Sequence, residues 1–285
     1  MKTLPPIPAY QQFEELQKLT RLICEFLHPE MIILFGHYAG MNSCHILKGY
    51  EMLILTSGKC PVSFQELRQH LNQHFPPEKR LEKHFSTCIL TTDFVRARTS
   101  TSHFLYDIRQ NGILLYQKNG CKLSKRVRYK PTRTYQETEK NTALCLHLGN
   151  EFWEDALYHY EKENFRLAAF YLYQSTLQLF RGIIYAHFNF IPERDYDLPA
   201  AYSLIRHYSE EIANLSEQSP KFIQLLQHLQ SYNYKARFNT MFQVNEQLCE
   251  QHLRLVGRIK TAAENFSRIK LDQLKKLQNP QPKQL

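Results

Sequence analysis

Long hydrophobic runs, tryptophan and glycine are all scarce in this chain of 285 residues. No apolar run approaches the ~20 residues that span a bilayer; Met31–Phe35, the longest near the start, has five. No membrane-spanning helix and no membrane partner are expected. The opening stretch, Met1 to Gln12, lacks the apolar centre of a secretory leader. Seven cysteines (Cys24, Cys44, Cys60, Cys88, Cys121, Cys145, Cys249) are odd in number and never spaced C-x-x-C. That argues against a disulfide framework and a structural zinc site, and for reduced thiols in a cytoplasmic protein. Nine Gly and 13 Pro exclude collagen-like or low-complexity architecture. P-loop, Rossmann and zincin motifs are absent, which removes those enzyme classes.

What is abundant is ring and positive charge. Seventeen Tyr and 18 Phe stand against one Trp, so aromatic packing should dominate the cores. The formal net charge is +9, which permits a partner carrying phosphates or acidic surface. The length suggests two domains.

The first 120 residues read as mixed α/β. Phe13, Leu16, Leu19, Ile23 and Phe26 recur at helical spacing over 11–27, and Pro29 ends that helix. Short apolar runs at Met31–Phe35, Met52–Leu55, Phe85–Leu90 and Ile113–Tyr116 predict four strands, the last following an Asn111-Gly112 turn. Ser63-Phe64-Gln65-Glu66 is a capping box that starts a helix bearing Phe64, Leu67 and Leu71. From Lys118 to Arg133 there are seven cations and no acid. Residues 121–140 are therefore expected to be a basic linker, with Lys122, Lys125, Arg126, Arg128 and Lys130 as phosphate-binding candidates. Residues 141–272 read as a helical bundle: a central helix over 165–187, a stripe of Phe222, Leu225, Leu226, Leu229 and Tyr232, and a long last helix. Residues 273–285 read as a polar tail.

Ile32-Ile33-Leu34-Phe35-Gly36-His37-Tyr38-Ala39-Gly40 resembles the minimal nucleotidyltransferase family, whose strand and Gly-Ser loop surround nucleotide phosphates. The likeness covers roughly residues 10 to 120. It implies a second strand bearing Asp-x-Asp for metal ions, and Lys48-Gly49-Tyr50-Glu51-Met52-Leu53-Ile54 aligns with it. Here the chain departs from the family. His37 replaces the Ser, Gly49 the first carboxylate and Glu51 the second, and 85–90 offers no third. Two-metal phosphoryl transfer needs several carboxylates, so Gly36, His37, Gly49 and Glu51 are expected to be a vestigial site. A hybrid metal site of His37, His45 and Glu51 is chemically possible, but loop histidines are the expectation. No cofactor is expected, and Mg²⁺ only if transferase chemistry persists.

The helical half resembles a HEPN domain through Asn164-Phe165-Arg166-Leu167-Ala168-Ala169-Phe170-Tyr171, Ile191-Pro192, and Tyr232-x-x-Lys235-Ala236-Arg237-Phe238-Asn239. Arg181 and His187 match the spacing of RNase-type members, Arg, four to six residues, then His, but lie about 120° apart round a helix, so they share no face. Asp195-Tyr196-Asp197 precedes Pro199 and is expected to cap a helix. The combined resemblance implies an α+β nucleotidyltransferase-like domain with a small mixed sheet, followed by an all-α HEPN-like bundle. It implies a non-catalytic nucleotide- or RNA-binding protein, in a toxin–antitoxin-like or defence setting, that pairs as a homodimer through the bundle. An active transferase with an irregular site and a dimeric protein-interaction scaffold are the alternatives. Tyr232, Tyr234 and Arg237 join the basic run as candidates for base stacking and phosphate contact.

Overall fold

A computed structural model describes residues 10–39, 50–58, 62, 64–75, 85–123, 127–192, 197–217 and 221–278. They fall into two compact units, Met1–Lys130 and Pro131–Leu285. The first is built on one mixed sheet and the second is helical.

The sheet contains β1 (Met31–Phe35), β2 (Tyr50–Thr56), β3 (Phe85–Thr91) and β4 (Ile113–Gln117) in the order β3-β2-β1-β4. β1 is antiparallel to both of its neighbours, whereas β2 and β3 run parallel. Both central strands are buried along their whole length, which is why they read as nearly unbroken apolar runs rather than as an alternation. Ile32, Leu34, Met52 and Ile54 pack with Leu16, Leu19 and Ile23 of α1 (Tyr10–Leu27) and Leu67 and Leu71 of α2 (Phe64–Asn72). On the opposite face Phe104 of α4 (His103–Asn111) sets its edge against Phe35, 5.2 Å between centroids. Leu105 and Ile108 of the same helix are buried there too.

Two helices between β3 and β4 escape the periodicity reading: α3 (Thr92–Arg98) and α4. Short polar residues start both. The Thr91 hydroxyl accepts from the Phe94 amide at 3.1 Å, and the Ser102 hydroxyl from the Leu105 amide at 3.3 Å. The expected Asn111-Gly112 turn is instead the end of α4, where the Gly112 amide donates to the Ile108 carbonyl at 2.7 Å. Glycine is required there by proximity, since a β-carbon would lie 2.4 Å from that carbonyl and 2.7 Å from Ile33. Ser63 of the expected capping box lies outside the described residues.

The second unit opens with α5 (Pro131–Glu161), so residues 131–140 are the first turns of a helix rather than linker. Proline suits the first helical position because its missing N–H is one that a helix start leaves unpaired anyway. Thr134, Thr138 and Thr142 are fully buried at helical spacing, but their polarity hides the stripe from a hydrophobic reading. α6 (Phe165–Phe188) is the central helix and packs on α5, α7 (Leu198–Ile205), α9 (Phe222–Phe238) and α10 (Glu246–Gln278). Glycines bring α5 and α6 close, Gly149 lying against Leu179 and Gly182 against Leu146. Asp197 caps α7 as expected, accepting from the Ala200 amide at 2.6 Å. Tyr202 links α7 to α8 (Glu210–Glu217) by reaching the Ile212 and Ala213 carbonyls, 3.1 Å each. Residues 273–278 of the expected tail continue α10, with Leu274 buried.

His252 of α10 has no exposed surface. Its Nδ1 lies 2.7 Å from the Leu248 carbonyl and its Nε2 3.2 Å from the Leu225 carbonyl of α9. Burial, aided by His228, lowers its pKa to about 4 despite those two carbonyls. No described helix is long and apolar enough to cross a membrane.

Candidate functional site

Gly36 and Glu51, expected together from the family likeness, do meet. Gly36 leaves β1 with φ +71°, a conformation that glycine adopts without strain. Glu51 on β2 is the Cα partner of Phe35 on one side and of Ser86 on the other. Its side chain is buried and lies against the bare Gly36 α-carbon, so that a β-carbon at 36 would fall 1.6 Å from Oε2. Beside it, the Tyr50 hydroxyl donates to Glu15 at 3.2 Å. Burial first, and Glu15 second, push that phenol's pKa well above the usual tyrosine range.

His37 begins a short 3-10 turn, His37–Ala39, while its side chain, His45 and Gly49 lie outside the described residues. Among the described residues, no group of three His, Cys, Asp or Glu could hold a metal ion. A carboxylate with a serine beside it on the next strand does not make the clamp that two Mg²⁺ ions require.

The basic run is not a free linker at its described positions. After β4 the chain returns to the end of α3. Arg96 donates to the Lys122 carbonyl at 3.1 Å, and the Lys130 amide donates to the Ser100 carbonyl at 2.9 Å. Tyr129 stacks on Tyr106 at 4.6 Å and tilts toward His103. That ring is used inside the first unit. Lys122, Arg128 and Lys130 are exposed around this corner, together with Arg96 and Arg98 of α3. Lys125 and Arg126 lie outside the described residues. Arg96 also pairs with Asp93, 3.2 Å away at the surface, an interaction worth little in water. The two α3 arginines escape the sequence reading because they fall before the acid-free run. Counting cations across 94–130 finds them: nine Lys and Arg against the single acid Asp107.

The third group lies at the end of α9, and here the two tyrosines separate. Tyr232 is buried, packed on Phe242 and His252. Burial raises its hydroxyl pKa, and the ring cannot stack on a ligand, which corrects the expectation for that residue. Tyr234 is 69% exposed and stands 5.0 Å from Phe238, itself 60% exposed. Arg237 lies over the Phe238 ring, 4.9 Å from its centroid, and Lys235 is exposed beside it. Arg166 of α6 secures this helix end by donating from both Nε and Nη2 to the Ala236 carbonyl, at 2.9 and 2.8 Å. Phe238 and Arg166 belong to the segments that resemble HEPN but not to the expected site; the signal for Phe238 is its spacing of four from Tyr234.

Comparison with protein-family models, with curated proteins and with solved structures finds no match.

Proposed function

We propose that this is a non-catalytic RNA-binding protein, made of a nucleotidyltransferase-like unit that has lost its metal site and a HEPN-like bundle. The observation that carries the reading is the basic corner of the first unit. Eighteen of the 36 Lys and Arg but only ten of the 27 acids fall in residues 1–130, a balance of +8, and the remaining residues balance at +1. The whole excess of the first unit comes from 94–130, where nine cations face one acid. Five of those cations are exposed, and the segment that carries Lys122 and Lys130 is held to α3 and the α3–α4 corner by the Arg96 side chain on the Lys122 carbonyl and by the Lys130 amide on the Ser100 carbonyl. Cations held on an ordered surface release counterions from a phosphate chain and bind it without regard to sequence.

The non-catalytic part rests on Glu51. Its carboxylate leans on Gly36, and its partner position on β3 is Ser86. Homodimer formation belongs to the same reading and is supported by Leu144 of α5 and Ile269 of α10, about half exposed on the bundle surface.

The test is a Lys122→Glu, Arg128→Glu, Lys130→Glu variant of the full chain, titrated against single-stranded RNA of about 12 nucleotides over a salt series. Affinity at low salt should fall roughly 100-fold, and the salt slope should drop by about 2, at ~0.7 for each phosphate that is no longer neutralised. Unchanged affinity and slope would sink the reading.

A further inference from the structure

We propose that the end of α9 is a stacking platform for unpaired bases, so that the strand bound by this protein is single-stranded RNA rather than duplex. The inference rests on the RNA-binding reading and adds what the second unit contributes to it. Tyr234 and Phe238, four residues apart, share one face of the helix and hold their rings 5.0 Å apart at 45°. Both are more than half exposed, whereas Tyr232 and Ala236 of the same helix are buried, so the rings are turned outward by the helix phase. Ring pairs that a protein needs for its own core are not left in water.

Charge identifies the occupant. Between Glu217 and Glu246 the chain runs 28 residues with three cations, Lys221, Lys235 and Arg237, and no acid, although its unit is close to neutral overall. Lys221 lies at the start of α9, whereas Lys235 and Arg237 lie in its last turn, where Arg166, anchored on Ala236, adds a third cation. A ligand that matches exposed ring faces and surrounding cations together has planar rings joined by phosphates. Arg237 covers part of Phe238, leaving Tyr234 and the rest of Phe238 to the bases while Lys235 and Arg237 meet the backbone. A duplex has already stacked its bases on each other and offers no free ring face, so only unpaired bases use the platform. Every base has such a face, so binding here should be tolerant of sequence.

Three probes of equal length test it on the full chain: single-stranded RNA, an abasic strand and duplex RNA. Wild type should bind the base-bearing strand roughly 10- to 100-fold more tightly than the abasic one. Tyr234→Ala with Phe238→Ala should remove that advantage and leave abasic binding and salt slope unchanged. The conservative pair, Tyr234→Phe with Phe238→Tyr, should retain it. Equal binding of base-bearing and abasic strands by wild type, or full affinity in the alanine variant, overturns the platform and leaves phosphate binding standing. A light-scattering mass that drops from dimer to monomer in the alanine variant also overturns it, since the rings then face a second copy of the chain. If wild type binds neither strand, the RNA reading and the platform fall together.

Discussion

The two units treat polar groups in opposite ways. The first carries +8, with exposed cations around one corner, and among its described residues buries one carboxylate, Glu51, beside a glycine. The second is close to neutral and buries the imidazoles of His207 and His252 and a row of threonines. A surface cation costs the fold almost nothing and can meet a ligand, whereas a buried titratable group must be held neutral or compensated. The first unit therefore keeps its excess charge in water, and the bundle ties its stability to pH.

The sharpest test of that contrast is acid. His252 titrates near pH 6.5 when unfolded and at about 4 in the bundle, so the unfolded chain takes up the proton first. The stability that neutral His252 supports is complete above pH 6.5 and is lost as pH falls toward 4, by about 3 kcal/mol. The one tryptophan, Trp153, lies against Gly257 of α10, so its fluorescence in denaturant titrations reports the bundle. His252→Gln should flatten the pH dependence, and a variant as acid-sensitive as wild type would break the comparison.

A smaller effect probes the sheet. Gly112→Ala forces a β-carbon onto the Ile108 carbonyl and Ile33, and neither backbone nor buried core can yield easily. We expect a loss of about 2 kcal/mol, read as faster amide hydrogen exchange in β1 and β4. Unchanged protection would mean that the α4–β4 junction is looser than its distances.

The smallest change in folding free energy should come from Leu144→Asp with Ile269→Asp. Both positions are exposed, so stability should move by no more than about 0.5 kcal/mol. The mass in light scattering should nevertheless fall from dimer to monomer. A dimer that survives would place pairing elsewhere.

The strands were legible because both sheet faces are covered and the central strands read as short apolar blocks. The long helices were legible from their stripes. α3, α4 and the start of α5 were not, because threonine and serine cap or line them and register as polar. At the candidate site, helix phase separates Tyr232 from Tyr234 in the sequence itself. Leu225, Leu229, Tyr232 and Ala236 step at four, three and four along the buried face, and Tyr234 falls between. The basic run was visible as composition, but a residue count carries no information on where a chain returns. The anchoring of Tyr129 on Tyr106 could not be read from it, and Arg96 and Arg98 enter only when the count is widened to 94–130.

The approach of Glu51 to Gly36 has an evolutionary consequence. Any side chain at 36 collides with the carboxylate at 51 and must also take up a left-handed backbone. A lineage that keeps the glutamate is therefore held to glycine at 36. One that shortens it to aspartate withdraws the carboxylate by a methylene but still meets the backbone constraint. Substitutions at 51 can thus accumulate first, while those at 36 must wait for them. The order in which this corner could drift is set by a single missing β-carbon.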